Sequence, residues 1–221
     1  MPFLGDEGGG GPVAASQVSV TNPGFANQQE VDDALLYVAL AVTGFGYGLG
    51  VQLLGSVLAD VLLRWSYNKP VVVQMAAGQA LPIGQRSLLL AGVNLTASTS
   101  YALTASDGTR QTGAGTTVYF SNDRFWFVGP AGLNVPPPGA ATDRPAGETR
   151  AIQFTLTAGA GQKIYYMRPA RLGAGTYVVG GFSGGFIERT VPYTNAAGYT
   201  EEYIIGESTN TGLGLTTVTV N

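Results

Sequence analysis

Apolar and polar residues alternate with a period of two along most of this chain. Val61, Leu63, Trp65 and Tyr67 share one side of an extended segment, and Leu62, Arg64, Ser66 and Asn68 the other. Tyr101, Leu103 and Ala105 repeat the pattern before the turn residues Ser106-Asp107-Gly108-Thr109, and Val118 and Phe120 close the run. Short strands, turn signals between them and a tryptophan inside a strand predict a small immunoglobulin-like β-sandwich over 51–121, without the disulfide. A second series of strands is predicted at Ala151–Thr157, Lys163–Met167, Gly175–Val179, Phe186–Tyr193, Glu201–Gly206 and Leu215–Val220, forming a C-terminal β domain over 151–221. Between them, 122–150 reads as a junction. It holds the aromatic cluster Arg124-Phe125-Trp126-Phe127 and a stiff loop from Val135-Pro136-Pro137-Pro138-Gly139 to Pro145-Ala146-Gly147. Neither block has a ten-residue helical period, which excludes a parallel βαβ fold.

The period changes once, over 27–43. Asn27 can cap a helix with Glu30 three residues on, and Asp32 and Asp33 fall in its first turn. Val31, Leu35, Val38 and Val42 follow 4-3-4 spacing, and Leu36 and Leu40 add a second apolar face. A helix apolar on two sides must be covered on both, by its own β domain or by sister helices. The second arrangement makes Val31, Leu35, Val38 and Val42 an oligomer interface. Gly44, Gly46, Gly48 and Gly50 end the segment, so 27–50 is helix plus linker. Ahead of it, 1–26 reads as an extended arm with a Gly8–Gly11 run, either a plain tail or a docking arm anchored by Phe3, Leu4, Val18 and Val20. The predicted class is therefore all-β: an arm and one short helix, then two β-sandwich-like blocks.

Charge is scarce: 11% of residues are charged, against roughly 25% in an ordinary soluble domain. Glycine, 33 of 221 residues, is about twice as common as the usual roughly 7%. A surface this neutral is expected to be covered in an assembly. Net charge is −3, Lys69 and Lys163 are the only lysines, and the arginines are scattered. Nucleic-acid binding, which needs clustered cations, is not expected. Cysteine and histidine are both absent. That removes disulfides, thiolate nucleophiles, imidazole-dependent triads and the commonest metal ligands. No cofactor, metal site or enzymatic activity is expected. The N-terminal residues show no signal peptide, and the apolar run Ala34–Val42 falls short of the roughly 20 residues that span a bilayer. Synthesis in a cytoplasm, without membrane insertion, is the expectation.

Carboxylates are the chemistry left. Glu201 and Glu202 are neighbours in a predicted strand and point to opposite faces, and helix capping explains Asp32 and Asp33. No pair is set for glycoside hydrolysis, so a carboxylate-based polysaccharide hydrolase stays a minor alternative. The glycine runs Gly8–Gly11 and Gly180–Gly185 lack the phosphate-loop pattern, and Asp107-Gly108 reads as a turn. Tyr165, Tyr166, Tyr199 and Tyr203 are candidate contacts for a host surface glycan, the alternative being ordinary packing.

Several stretches resemble a recurrent module of bacteriophage virion proteins, of the tail-fibre, head-fibre and general structural kinds. They are Asn22-Pro23-Gly24-Phe25 with Val31-Asp32-Asp33-Ala34-Leu35-Leu36-Tyr37-Val38; Val61 to Lys69; Thr99 to Gly108; Asp123-Arg124-Phe125-Trp126; Ile164 to Ala170; Thr176 to Gly181; and Asn195 to Tyr203. The likeness runs over about residues 22–221, and the loop Pro136–Pro138 and the first 21 residues depart from it. It implies a structural role in the virion, as an appendage (fibre) or decoration protein, with a homotrimeric arrangement and contacts to capsid or tail proteins. A carbohydrate-binding host-adhesion module is the alternative.

Overall fold

The computed structural model describes residues 37–221, and these are built almost wholly of β-strands. Nine strands form the first part: β1 (Val42–Gly46), β2 (Gln52–Leu53), β3 (Val61–Tyr67), β4 (Val73–Ala76), β5 (Gln79–Ala80), β6 (Ser87–Leu90), β7 (Thr99–Ser106), β8 (Gln111–Val118) and β9 (Phe120–Ser121). One sheet has the order β1-β3-β6 and the facing one β5-β4-β7-β8, all antiparallel. Consecutive strands change sheet from β3 to β4, β5 to β6 and β6 to β7, so the chain crosses repeatedly between the two layers of a sandwich. The core between the sheets holds Val61, Leu63 and Trp65 of β3 against Ala76, Leu103, Val118 and Phe120. The alternation read along β3 and β7 places the expected residues inward.

The predicted helix 27–43 does not hold over its described part. Residues 37–41 carry no helix and Val42 opens β1. The side chain of Asn68 takes the N–H of Ala41 and donates to the carbonyl of Ala39, each at 2.8 Å, holding that stretch beside the end of β3. Val38 is exposed, Leu40 is buried with Val71 and Ala105, and Val42 packs on the first core. Strand pairing with β3 has overridden the helical spacing. Residues 27–36, with Val31 and Leu35, and the arm residues Phe3, Leu4, Val18 and Val20 lie outside the described residues.

The second part has another nine strands: β10 (Arg124–Gly129), β11 (Ala141–Asp143), β12 (Ile152–Ala158), β13 (Lys163–Pro169), β14 (Tyr177–Val179), β15 (Phe182–Ser183), β16 (Phe186–Thr194), β17 (Thr200–Ser208) and β18 (Gly214–Val220), with a 3₁₀ turn at Ala170–Leu172. A five-stranded sheet, β11-β10-β13-β17-β16, packs on a four-stranded one, β12-β18-β14-β15. The predicted junction 122–150 is thereby corrected: its aromatic cluster is β10, an integral strand of the larger sheet. The second block therefore begins before residue 151.

The larger sheet is buried on both faces at its centre, along β10 and β13. Ile164 and Tyr166 meet Phe154, Val218 and Val220 on one side, while Phe127, Tyr165, Met167 and Ile205 form a separate cluster on the other. Leu133 and Ala140, from the loop after β10, pack over that second cluster. The loop is fastened by polar bonds. The Tyr165 hydroxyl donates to the Pro130 carbonyl, Arg189 donates to the Leu133 carbonyl and to Asn134, and Glu207 accepts the Gly132 N–H. Burial alone would raise the Glu207 carboxyl, but bonds from Arg189, Lys163 and Gly132 hold it below its ordinary value. Close approach also explains one glycine: a Cβ on Gly206 would lie 2.2 Å from the Tyr177 hydroxyl.

Candidate functional site

Three of the four tyrosines proposed as glycan contacts are unavailable to a ligand. Tyr165, Tyr166 and Tyr203 are each 0% exposed. Tyr165 and Tyr166 are neighbours on β13, so they must point to opposite faces, and both faces of that strand are covered. Each hydroxyl is used internally: Tyr166 donates to the Arg150 carbonyl at 2.8 Å and Tyr203 to the Asp123 carbonyl at 2.9 Å. Burial pushes all three phenols above their ordinary pKa. Tyr199 alone is exposed, in the turn between β16 and β17.

That turn belongs to the contact between the two blocks. Asn195 donates from its amide to the Leu54 carbonyl at 2.7 Å and to the Asn122 side-chain oxygen at 2.6 Å. Its own side-chain oxygen accepts the N–H groups of Ala197 and Tyr199. Asn122 in turn donates to Glu201, which is paired with Arg171. Arg144 adds an ion pair to Asp123 and a bond to the Val51 carbonyl at 3.2 Å. The short parallel pair β2–β9 lies alongside. Gly55 fits here because a Cβ would meet the Cβ of Tyr199 at 2.6 Å, and its φ of +89° already favours glycine. Asn122 and Asn195 are buried, and buried amides this fully bonded fix one geometry. The sequence reading missed both asparagines; the only signal was their place beside turn residues.

A second polar cluster sits inside the C-terminal block. Arg168, fully buried, pairs with Glu188 at 2.8 Å, and the Tyr177 hydroxyl donates to the same carboxylate oxygen at 2.7 Å. Arg168 also donates to the Gly173 carbonyl at 2.7 Å. Its donors turn on Gly173, Tyr177 and Glu188, so this cluster ties β13 to β14, β16 and the turn after β13. Among the described residues no three acidic side chains gather as a metal site would require. Glu201 is bound in the block contact while Glu202 is exposed, in line with opposite faces on β17. Asp107 caps its own turn, accepting the N–H groups of Thr109 and Arg110. Gly180 and Gly181 turn the β14–β15 hairpin and Gly184 and Gly185 link β15 to β16, all four at positive φ.

Most charged side chains among the described residues are committed to such internal pairs. What remains outward on the two four-stranded sheets is uncharged. In the first block, Val73 and Met75 of β4 adjoin Ser100, Ala102, Thr104 and Ser106 of β7, then Gln111, Gly113, Gly115 and Thr117 of β8. In the second, Gln153, Thr155 and Thr157 of β12 stand beside Thr219, Thr217 and Leu215 of β18. The Thr155 and Thr217 hydroxyls bond at 2.9 Å, and Gln153 donates to Thr219 at 3.1 Å. These uncharged faces are the candidate interaction site. They present hydroxyls and small apolar groups outward. No protein-family model matches the chain, and no curated protein matches it in sequence.

Proposed function

We propose that this chain is a structural protein of a bacteriophage virion, an appendage or decoration component that docks through its N-terminal region and displays two β blocks. The observation that carries the reading is the contrast between interior and exterior. Charge is concentrated in pairs that lock the fold and the block contact, while both four-stranded sheets turn uncharged faces outward. Neutral sheet faces of this kind suit contact with other protein copies. No catalysis is part of the reading. Self-association is part of it; Val38, exposed, and Val42, in β1, supply no helical seam, and the outward β faces offer a surface for it.

The test is composition of purified particles. Antibody against the chain should label phage particles in electron micrographs at a fixed position, and the chain should sediment with them at constant stoichiometry. Recovery only in the particle-free lysate would overturn the proposal. A glycan-array signal lost on Tyr199→Ala would favour the adhesion reading instead.

A further inference from the structure

We infer that β12 is a self-association edge, at which a second copy of this chain adds its own β12 antiparallel across a two-fold axis. The inference rests on the assembly reading above and names the surface that assembles. β12 is an outer strand of its sheet, paired only with β18 among the described residues. Its seven residues, Ile152 to Ala158, contain no charge, no proline and no glycine. They alternate apolar inward and Gln/Thr outward without a bulge. Half the backbone N–H and C=O groups of such a strand point away from its one neighbour, a ready template for pairing.

The other edges are blunted. β16 carries Glu188, Arg189 and Pro192, while β5 and β15 have two residues each and β11 three. β1 is broken by an irregularity between Val42 and Gly44, β6 has only four residues, and β8 carries two interior glycines, Gly113 and Gly115. A seven-residue uncharged edge left bare would be an aggregation hazard, so its survival calls for a specific cover. Beside it lies an apolar groove of about 250 Å³, lined by Trp126, Leu156, Pro137 and Pro138. Strand addition works by backbone bonds plus a pocket for alternate side chains, and both are present here.

The second copy is the occupant because the edge is complementary to itself. An antiparallel pair centred on Thr155 sets Thr155 against Thr155, Gln153 against Thr157 and Phe154 against Leu156. No like charges meet, and the half-buried Leu156 gains apolar cover. The two four-stranded sheets become one sheet of eight, and the copy number is two rather than the three implied by the phage-fibre likeness.

The full-length chain should sediment as a dimer at micromolar concentration. Thr155→Lys, an outward change on an exposed residue, should raise the dissociation constant at least about 100-fold, because two lysines then face each other across the axis. Thr117→Lys, on the outer face of the first block, should leave it unchanged. Because the chain has no cysteine, Gln153→Cys, Thr155→Cys and Thr157→Cys can be oxidised singly, and only Thr155→Cys, which faces its own copy across the axis, should give a covalent dimer. A monomeric or trimeric wild type, a dimer indifferent to Thr155→Lys, or no cross-link through Thr155→Cys overturns the inference. So does a double change Val18→Asp/Val20→Asp that dissociates the dimer as fully, since the arm would then be the occupant. A dimer indifferent to Thr155→Lys leaves the virion reading standing, whereas absence from particles removes that reading without touching the dimer measurement.

Discussion

The indole N–H of Trp65 donates to the side-chain oxygen of Gln74 at 3.0 Å. One residue is on β3 and the other on β4, so the bond ties the facing sheets of the first block through its core. Gln74 is 1% exposed, and its amide nitrogen donates to the Gln85 and Pro82 carbonyls, while the Tyr67 hydroxyl shares its oxygen.

Trp65→Ala should cost about 3–5 kcal/mol, from lost burial and the cavity left among Leu63, Leu103 and Phe120. Gln74→Met fills similar volume yet strands its partners, at about 1–3 kcal/mol for each group left unpaired. Urea denaturation followed by circular dichroism reads both. A loss under about 1 kcal/mol for Trp65→Ala would mean that the core is not organised around the indole.

Asn195→Ala should uncouple the blocks. It removes the bonds to Leu54 and Asn122 together, leaving buried groups without partners on both sides. Calorimetry should show one unfolding transition for the wild type and two for the variant. Gly55→Ala should act in the same direction, through the clash with Tyr199 and the positive φ. A single unshifted transition in both variants would show that these contacts do not couple the blocks.

The strands were legible where one face is wet. Alternation in β3, β7, β12 and β18 follows from period-two patterning against a single core. It failed where that condition failed. Val38, Leu40 and Val42 satisfy a period of two as well as a helical seam, and only the pairing of Val42 with Tyr67 decides between them. Arg124 to Phe127 and Ile164 to Met167 look like dense clusters because their strands are covered on both sides. For the same reason Tyr165 and Tyr166 could be mistaken for surface aromatics. The Asn122–Asn195 bond joins residues 73 apart, and nothing local marks either amide as half of a pair.

Acid should weaken the turn end of the first block. The Lys69 ammonium, first among several donors, together with the Arg110 N–H and the Tyr37 hydroxyl, holds the Asp107 carboxyl well below the usual carboxylate range. A depressed pKa in the folded state gives stability that is complete above the unfolded value of about 3.9 and is lost as pH falls through the folded one. The stability difference between wild type and Asp107→Asn should therefore be constant above about pH 5 and shrink as pH is lowered towards 2. A difference that does not change over that interval would rule out the proposed ion pair.

Arg168 offers the sharpest separation of pairing from packing. Its guanidinium is fully buried, and removing it leaves the Glu188 carboxylate, the Tyr177 hydroxyl and the Gly173 carbonyl facing an apolar side chain. Arg168→Met should cost about 3–5 kcal/mol, as breaking one side of a buried pair does. Arg168→Lys should recover only part, because an ammonium cannot span Gly173, Tyr177 and Glu188 in one plane. Arg168→Met combined with Glu188→Gln should cost less than the sum of the single changes, since no unpaired charge remains. Denaturation midpoints for the two single variants and the double one close the cycle. Strict additivity would mean that Arg168 acts through packing alone and that its pairing with Glu188 contributes nothing to the fold.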